Sequence, residues 1–300
     1  MEYKARTVPL ELQLFEVLHM RTDLGEKEMQ NYFNLKKGYE GELRFDSFTN
    51  ELTLDCLILN DLLLKAGNNT FQIDTLLIAD TIYIYEVKNF EGDFYYKDDR
   101  LLSQSNYEVS NPLTQLSRAE SLLRQLLQSI GITTSINSSV VFVNPAFTLY
   151  QAPIDKPIIY PTQLNRYMKQ LNSVPSRIGK KHKALADKLI SMHLTESPYQ
   201  QLPEYEYGEL RKGVVCRGCG AFIDTVVGLY CICRRCETKE AIREAILRTV
   251  QEFKLLFPNE LITTSAIYDW CGQLIQKQRI KRILERHFKH ISNNRWSYFE

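Results

Sequence analysis

The sequence predicts a mixed α/β fold with an α-β-β-β-α-β core, followed by a small cysteine-rich module and an α-helical C-terminal module. Three observations predict it. Short β-branched and aromatic segments lie between residues 56 and 90, helical patterns flank them on both sides, and five of the seven cysteines fall within residues 216–236. A chain of 300 residues usually divides into several cores, so several domains are expected.

The core elements follow in order from the N-terminus. One helix is predicted over Leu10–Met20 and a second over residues 25–49, where Gly38 and Gly41 weaken the helix and suggest close approach to another element. Turn residues then separate three segments that are typical of an antiparallel meander. These predicted strands are Cys56–Leu64, Phe71–Ala79 and Thr81–Phe90.

The core ends with a helix and a buried strand. A hairpin is expected at residues 93–102. Asn111 and Pro112 are typical of a helix start, and leucines continue a helical stripe to residue 128. Ser139–Val143 is predicted to be the last core strand. Two further helices are predicted over Gln163–Leu171 and Lys181–Met192.

Asp74, Glu86 and Lys88 form the main candidate for chemistry. Asp74 and Glu86 are each six residues from Asp80, so an antiparallel pair that turns near Asp80 places them opposite each other, with β-carbons about 5 Å apart. Glu86 and Lys88 share one face of their strand. Two adjacent carboxylates favour a hard divalent cation, Mg²⁺ or Mn²⁺. The alternative from spacing alone is a salt-bridge patch on a solvated sheet face.

Four short motifs occur in an order that supports the first interpretation. They are Gly38-x-x-Gly41-Glu42, Gln72-Ile73-Asp74, Glu86-Val87-Lys88-Asn89-Phe90-x-Gly92 and Asn111-Pro112-x-x-Gln115. Together with the predicted element order, they resemble the nuclease-related domain (NERD), a branch of the PD-(D/E)XK nuclease superfamily, over residues 36–145. The resemblance implies a restriction-endonuclease-like core.

The resemblance also implies roles for individual residues. Asp74 and Glu86 correspond to the metal-binding acids, and Lys88 to the catalytic lysine. Glu42 corresponds to the glutamate of the first helix, which binds the metal or supports its ligands, and Gln115 to the polar residue that faces the site. We add Arg118, one helical turn later, as a candidate phosphate contact. The alternative for these helical residues is a solvated surface role.

The cysteine cluster contains two CxxC pairs, Cys216 with Cys219 and Cys233 with Cys236. This pattern is typical of a tetrahedral Cys₄ zinc site with a structural role, because thiolates fill every coordination position. Cys231 could replace Cys233, although the CxxC spacing favours Cys233. Residues 222–230 are expected to form the hairpin of a zinc ribbon. The alternative is a set of reduced cysteines without metal.

The C-terminus is locally basic, although the whole chain has a net charge of only +1. A helix is predicted over Lys239–Leu256, and short helices over Thr263–Cys271 and Lys277–His290. The last segment combines an apolar stripe with outward basic residues that are candidates for nucleic-acid binding: Arg279, Arg282, Arg286 and Lys289. The pattern resembles a helix-turn-helix, with or without a wing, and the alternative is an ordinary basic helix packed on the zinc module.

These features predict a metal-dependent DNA nuclease, an endonuclease of the PD-(D/E)XK type, with C-terminal nucleic-acid-binding modules. The alternatives are a noncatalytic DNA-binding or regulatory protein on a nuclease-like scaffold and a protein-interaction adaptor. The expected cofactors are Mg²⁺ or Mn²⁺ and Zn²⁺, and the expected partner is nucleic acid, DNA in particular. A polar N-terminus and the lack of long apolar runs predict a cytoplasmic protein without membrane contact.

The predicted elements and motifs divide the chain into five expected domains. They are an N-terminal helical extension (1–35), a NERD nuclease-like domain (36–150), a helical connector (151–210), a zinc ribbon-like module (211–240) and a helix-turn-helix-like DNA-binding module (241–300).

Overall fold

The computed structural model describes residues 1–195, 202–293 and 296–300. The chain forms two compact units, the first from Met1–Pro9 and Phe33–Gln200 and the second from Leu10–Tyr32 and Gln201–Glu300. Both contain helices and strands, which confirms the predicted mixed α/β class. Within the described residues, no helix combines the length and apolar character that crossing a bilayer requires.

Helices and strands are numbered in chain order. The helices are α1 Leu10–Arg21, α2 Glu26–Asn50, α3 Pro112–Ser129, α4 Leu164–Asn172, α5 Lys180–Ser191, α6 Ile242–Leu256, α7 Thr264–Trp270 and α8 Lys277–His287. The strands of the first unit are β1 Glu2–Lys4, β2 Leu57–Ala66, β3 Asn69–Ile78, β4 Ile82–Lys88, β5 Gly92–Lys97, β6 Arg100–Ser103, β7 Glu108–Val109, β8 Ile136–Phe142, β9 Phe147–Tyr150 and β10 Ile158–Ile159.

The first unit is built on a sheet with the strand order β1-β2-β3-β4-β8-β10. Strands β2, β3 and β4 pair antiparallel, which confirms the predicted meander. Strand β8 pairs parallel with β4, since α3 carries the chain back across the sheet between them. A smaller sheet has the order β7-β6-β5-β9 and contains the hairpin predicted at residues 93–102.

Helices cover both faces of the main sheet. On one face, leucines of α3 such as Leu123 pack with Leu62 and Ile84. On the other, Phe45 of α2 and Met168 of α4 pack against a second set of core residues. Asn111 caps α3, since its side chain accepts a hydrogen bond of 3.0 Å from the Leu113 amide. The core packing and the Asn111 cap therefore fix the N-terminal end of α3 against one face of the sheet.

The second unit combines the cysteine module with helices α1, α6, α7 and α8 around one apolar core. Its strands are β11 Thr225–Val227, β12 Tyr230–Ile232, β13 Lys239–Ala241, β14 His290–Asn293 and β15 Trp296–Phe299. The helix predicted from Lys239 begins only at Ile242, because Lys239–Ala241 pairs with β12 instead. After α8, strands β14 and β15 form a hairpin, and Phe299 also forms a bridge with Ile262, between α6 and α7.

A buried arginine connects the segments of the second unit. The guanidinium of Arg21, at the end of α1, donates a 2.5 Å hydrogen bond to Glu252 and further bonds to the carbonyls of Arg211 and Gly213. It also lies 4.1 Å from the ring centre of Trp270. Because breaking a buried ion pair leaves an uncompensated charge, these contacts fix α1 in this core.

Candidate active site

The two predicted acids meet where β3 and β4 separate. The register pairs Thr75 with Tyr85, so its next step places Asp74 opposite Glu86, as the equal spacing from Asp80 predicts. Asp74 Oδ2 accepts a 2.7 Å hydrogen bond from the Val87 amide. The Asp74 carboxylate thus accepts a hydrogen bond of the kind that a backbone carbonyl accepts between paired strands. It lies beside Glu86.

The backbone is distorted at this point, which simple alternation does not anticipate. Ile73 and Leu76 face the same apolar core although their positions differ by three, an odd number, so the facing pattern of β3 changes between them, at Asp74. The register places Asp61 of β2 opposite Asp74, and Asp61 has a positive φ of 52°. Asp74 therefore lies at the point where the apolar row of β3 changes from one face of the sheet to the other.

Glu86 and Lys88 form an ion pair on the same face of β4. Lys88 Nζ lies 2.7 Å from Glu86 Oε1, and the two side chains are only 20 % and 12 % exposed. Burial and the charge of Asp74 raise the pKa of Glu86 to about 7, although Lys88 opposes the shift. Burial also raises the pKa of Asp74. The carboxylates are thus crowded and incompletely neutralised, a state that a bound cation would relieve.

Arg6 is a site residue that sequence reasoning missed. Its buried guanidinium binds Glu42 Oε2 at 2.6 Å and Asp46 Oδ2 at 2.8 Å, and it donates to the Asp74 carbonyl at 2.8 Å. Burial and the charge of Asp74 raise the pKa of Glu42 to about 8, against the effect of Arg6. Glu42 is thus held beside Asp74 as predicted, but by an arginine that lies 36 residues earlier in the chain.

The helix that carries Glu42 approaches β4 very closely at Gly41. A β-carbon on Gly41 would lie 2.5 Å from Asn89 Cβ, whereas one on Gly38 would meet nothing within 4 Å. Asn89 also donates a 2.8 Å hydrogen bond to the Lys37 carbonyl. Close approach thus explains Gly41 and not Gly38.

This difference gives a matched pair of variants. We expect Gly41→Ala to destabilise the protein by about 1–3 kcal/mol, since the new methyl group overpacks the contact with Asn89. Gly38→Ala, one turn away on the same helix and exposed, should stabilise it by up to about 1 kcal/mol. Urea denaturation measures both. Equal effects would contradict a close contact specific to Gly41.

A cleft connects the acids to α3. It has a volume of about 640 Å³ and is lined by Asp74, Glu86, Gln115 and Arg118, together with residues of β3. Gln115 and Arg118 are exposed on the helix face that looks into it. The structure therefore brings these four predicted residues together at one cleft, and places Lys88 against Glu86 at its edge.

The four predicted cysteines of the metal cluster also converge. The sulfur atoms of Cys216, Cys219, Cys233 and Cys236 all lie within 4.8 Å of one another. The closest pairs are 3.6 Å apart, near the value of about 3.8 Å for a tetrahedral site with Zn–S bonds of about 2.3 Å. Cys231 is buried outside this cluster, so the structure groups Cys233, and not Cys231, with the other three cysteines.

Hydrogen-bond donors favour the thiolate form at two of the four cysteines, whereas the neighbouring cysteines and burial raise the pKa of Cys219. The Gly218 amide donates to Cys216 Sγ at 3.3 Å. Thr238 Oγ1 lies 3.2 Å from Cys236 Sγ, and hydrogen bonds from Thr238 lower the pKa of Cys236 to about 6. A β-carbon on Gly218 would lie 2.6 Å from Thr238 Oγ1, so glycine is required there. The donor set therefore fits zinc.

The predicted basic residues belong to the second unit, whereas the carboxylates belong to the first. Ile280 and Leu284 of α8 are buried, while Arg282, Arg286 and Lys289 are exposed, as the amphipathic pattern predicts. Arg279 differs from the expectation of an outward residue. It is half-buried and donates a 2.9 Å hydrogen bond to the Gly228 carbonyl, in the turn between β11 and β12.

Comparison with known proteins assigns a family to part of the chain. Residues 37–143 match the family model described as the nuclease-related domain, NERD. The match covers Glu42, Asp74, Glu86, Lys88 and Gln115, confirms the resemblance, and supports a nuclease-related function in general. No curated protein and no solved structure matches the chain.

Proposed function

We propose that the protein is a divalent-metal-dependent nuclease of the PD-(D/E)XK type that hydrolyses phosphodiester bonds in DNA. The observation that carries this proposal is a cleft, within a nuclease-related domain, that Asp74 and Glu86 line on one side and Gln115 and Arg118 on the other. Lys88 is paired with Glu86 beside it. Phosphodiester hydrolysis needs cationic groups around the phosphate and an activated water, and this cleft can provide both.

Each residue has a role that follows from its position. The carboxylate oxygens of Asp74 and Glu86 would hold Mg²⁺ or Mn²⁺, and the ion would supply charge stabilisation and an activated water. Lys88 stabilises negative charge that develops on the phosphate, while Arg118 and Gln115 bind its outer oxygens. Glu42 is held by Arg6, so its proposed role is to orient Asp74 electrostatically and to supply a further oxygen ligand.

The raised pKa of Glu86 predicts how metal affinity depends on pH. A cation binds the carboxylate and competes with the proton, so affinity is low while Glu86 is protonated and rises with pH. With a pKa of about 7, we expect the Kd for Mn²⁺ to fall about tenfold per unit from about pH 5.5 to 7 and to level off near pH 8. Calorimetric titration measures this.

The matched control is Glu86→Gln, which should weaken Mn²⁺ binding and remove the part of the pH dependence that comes from residue 86, because no proton leaves it. The part that comes from Glu42, whose pKa is raised to about 8, should remain. A wild-type affinity that does not change between about pH 5.5 and 7 would show that Glu86 is not a ligand.

The second unit is proposed to bind nucleic acid. Its cysteine cluster holds a structural Zn²⁺, and the order α6-α7-α8 followed by the hairpin β14–β15 supports a helix-turn-helix-like module with a wing. The exposed side chains of Arg282, Arg286 and Lys289 provide phosphate contacts. The proposed location is the cytoplasm, where clustered cysteines stay reduced and available to metal.

The test is cleavage of plasmid and linear DNA by the purified protein with Mg²⁺, with Mn²⁺ and with a chelator. Cleavage should require one of the ions and should be absent from Asp74→Ala protein that is purified in the same way. Identical behaviour of wild type and Asp74→Ala would show that catalysis is not at this site.

One observation favours the second candidate, a noncatalytic DNA-binding protein on a nuclease-like scaffold. Arg6 already neutralises Glu42 and Asp46, and Lys88 pairs with Glu86, so the acids have partners without a cation. This candidate predicts salt-sensitive DNA binding and no cleavage with either ion.

A further inference from the structure

The second unit contains a basic groove between α8 and the cysteine module. One wall is the basic face of α8, with Arg279, Arg282 and Arg286. The other is formed by Leu229, in the turn between β11 and β12, and by the start of α6 at Arg243. The groove has a volume of about 450 Å³. We call it the ribbon groove, since the cysteine module supplies one of its walls.

The electrostatics of the ribbon groove favour an anion. Four arginines line it, and within the described part of the chain Arg282 and Arg286 pair with no carboxylate. Arg243 is bonded to Glu244, which offsets part of its charge. The N-terminal end of α6, a helix of 15 residues, also lies at the groove and adds positive potential. These groups together suit the phosphates of a polyanion.

The shape of the ribbon groove limits which polyanion can enter. A bare helix is about 10–12 Å wide and fits a DNA major groove of about 12 Å. Here Arg279 of α8 is bonded to the Gly228 carbonyl in the β11–β12 turn, so the turn lies against the basic face of the helix. With the turn attached, this face of α8 is too wide to enter a major groove that fits a bare helix. A single strand needs only a path for one backbone and apolar surface for its bases, and exposed Leu229 offers such surface.

We propose that the ribbon groove binds the sugar–phosphate backbone of single-stranded nucleic acid. This proposal rests on the proposed function of the second unit and narrows it: the unit holds nucleic acid as a single strand along α8, and not as a duplex with this face of α8 in its major groove. Arg243, Arg282 and Arg286 contact successive phosphates, and the turn at Leu229 contacts bases. Because that turn lies between Cys219 and Cys233, the groove depends on the metal cluster for its second wall.

The experiment uses the full chain with Asp74→Ala, which prevents cleavage during the measurement. Fluorescence anisotropy reports binding of a labelled oligo-deoxythymidine strand of about 20 nucleotides and of a duplex of the same length. The groove variants are Arg243→Ala and Arg282→Ala/Arg286→Ala. The matched control is Lys281→Ala, which removes an exposed charge from the same helix outside the groove.

We expect the single strand to bind at least about tenfold more tightly than the duplex at about 0.1 M salt. Each phosphate contact contributes about 0.7 to the salt exponent of binding. Loss of one contact therefore weakens the affinity about fivefold at about 0.1 M salt, relative to about 1 M. Arg243→Ala should therefore lose about fivefold and the double variant about 25-fold, with a salt slope lower by about 1.4. Lys281→Ala should change the affinity less than about twofold, and zinc chelation should abolish the preference for the single strand.

Three results would each overturn the proposal. They are a duplex that binds as tightly as the strand, groove variants that behave like Lys281→Ala, and an acidic peptide that competes as well as the strand. Thermal unfolding of each variant shows whether the fold is retained. This experiment measures binding and not cleavage. It can therefore support the proposal for the ribbon groove when the nuclease assignment is wrong, and it can contradict that proposal when the nuclease assignment is right.

Discussion

Replacing Asp74 with asparagine is expected to lower the rate of DNA cleavage at least about 10³-fold while leaving the fold intact. The amide oxygen of asparagine can still accept the hydrogen bond from the Val87 amide, now 2.7 Å long, so the end of the ladder keeps its geometry. What the variant loses is the negative charge that is proposed to hold the cation beside Glu86. Initial rates of plasmid cleavage at saturating Mg²⁺ measure the effect.

The matched control is Asp80→Asn, at the opposite end of the same pair of strands. Its carboxylate is 64 % exposed and far along the strands from Glu86, so its rate should equal that of the wild type. DNA binding by Asp74→Asn should persist, because the phosphate contacts of the second unit are unchanged. If Asp74→Asn cleaves as fast as Asp80→Asn, the carboxylate site does not carry the reaction.

Replacing Cys233 with alanine is expected to release the metal and unfold the cysteine module. Structural zinc contributes about 10 kcal/mol or more of binding free energy, which the folded module loses with one ligand. Cys231→Ala is the matched control, since Cys231 is buried two residues away and lies outside the cluster. It should keep one zinc per chain and cost only about 1–2 kcal/mol of stability.

Metal content by atomic emission and thermal unfolding distinguish the two cysteine variants. Loss of zinc from Cys231→Ala together with retention in Cys233→Ala would reverse the ligand assignment. Unchanged unfolding of the wild type after chelation would show that the cluster has no structural metal.

The acids of the candidate site could be predicted because their geometry is local. Asp74 and Glu86 are equally distant from a turn, so antiparallel pairing alone brings them together. Arg6 could not be predicted in this way. It reaches Glu42 and Asp74 from the segment that follows an added parallel strand, β1, and no periodicity in the sequence specifies the partner of such a strand.

The same distinction holds in the second unit. The spacing of the cysteines and the apolar stripe of α8 are local patterns, and both the cluster and the buried residues Ile280 and Leu284 follow from them. The half-burial of Arg279 depends on a turn some 50 residues earlier in the chain, so the pattern predicts an outward arginine where the structure has an anchored one.

The place of α1 in the second unit also affects the order of events on the ribosome. Arg21 is synthesised early, but its partner Glu252 follows 231 residues later. At about 5–20 residues per second, those 231 residues take roughly 12–46 s to synthesise. During that interval the apolar side of α1, with Leu14 and Leu18, has not yet met its core. Nascent chains are therefore most exposed to aggregation through α1, and slower translation should increase their demand for chaperones.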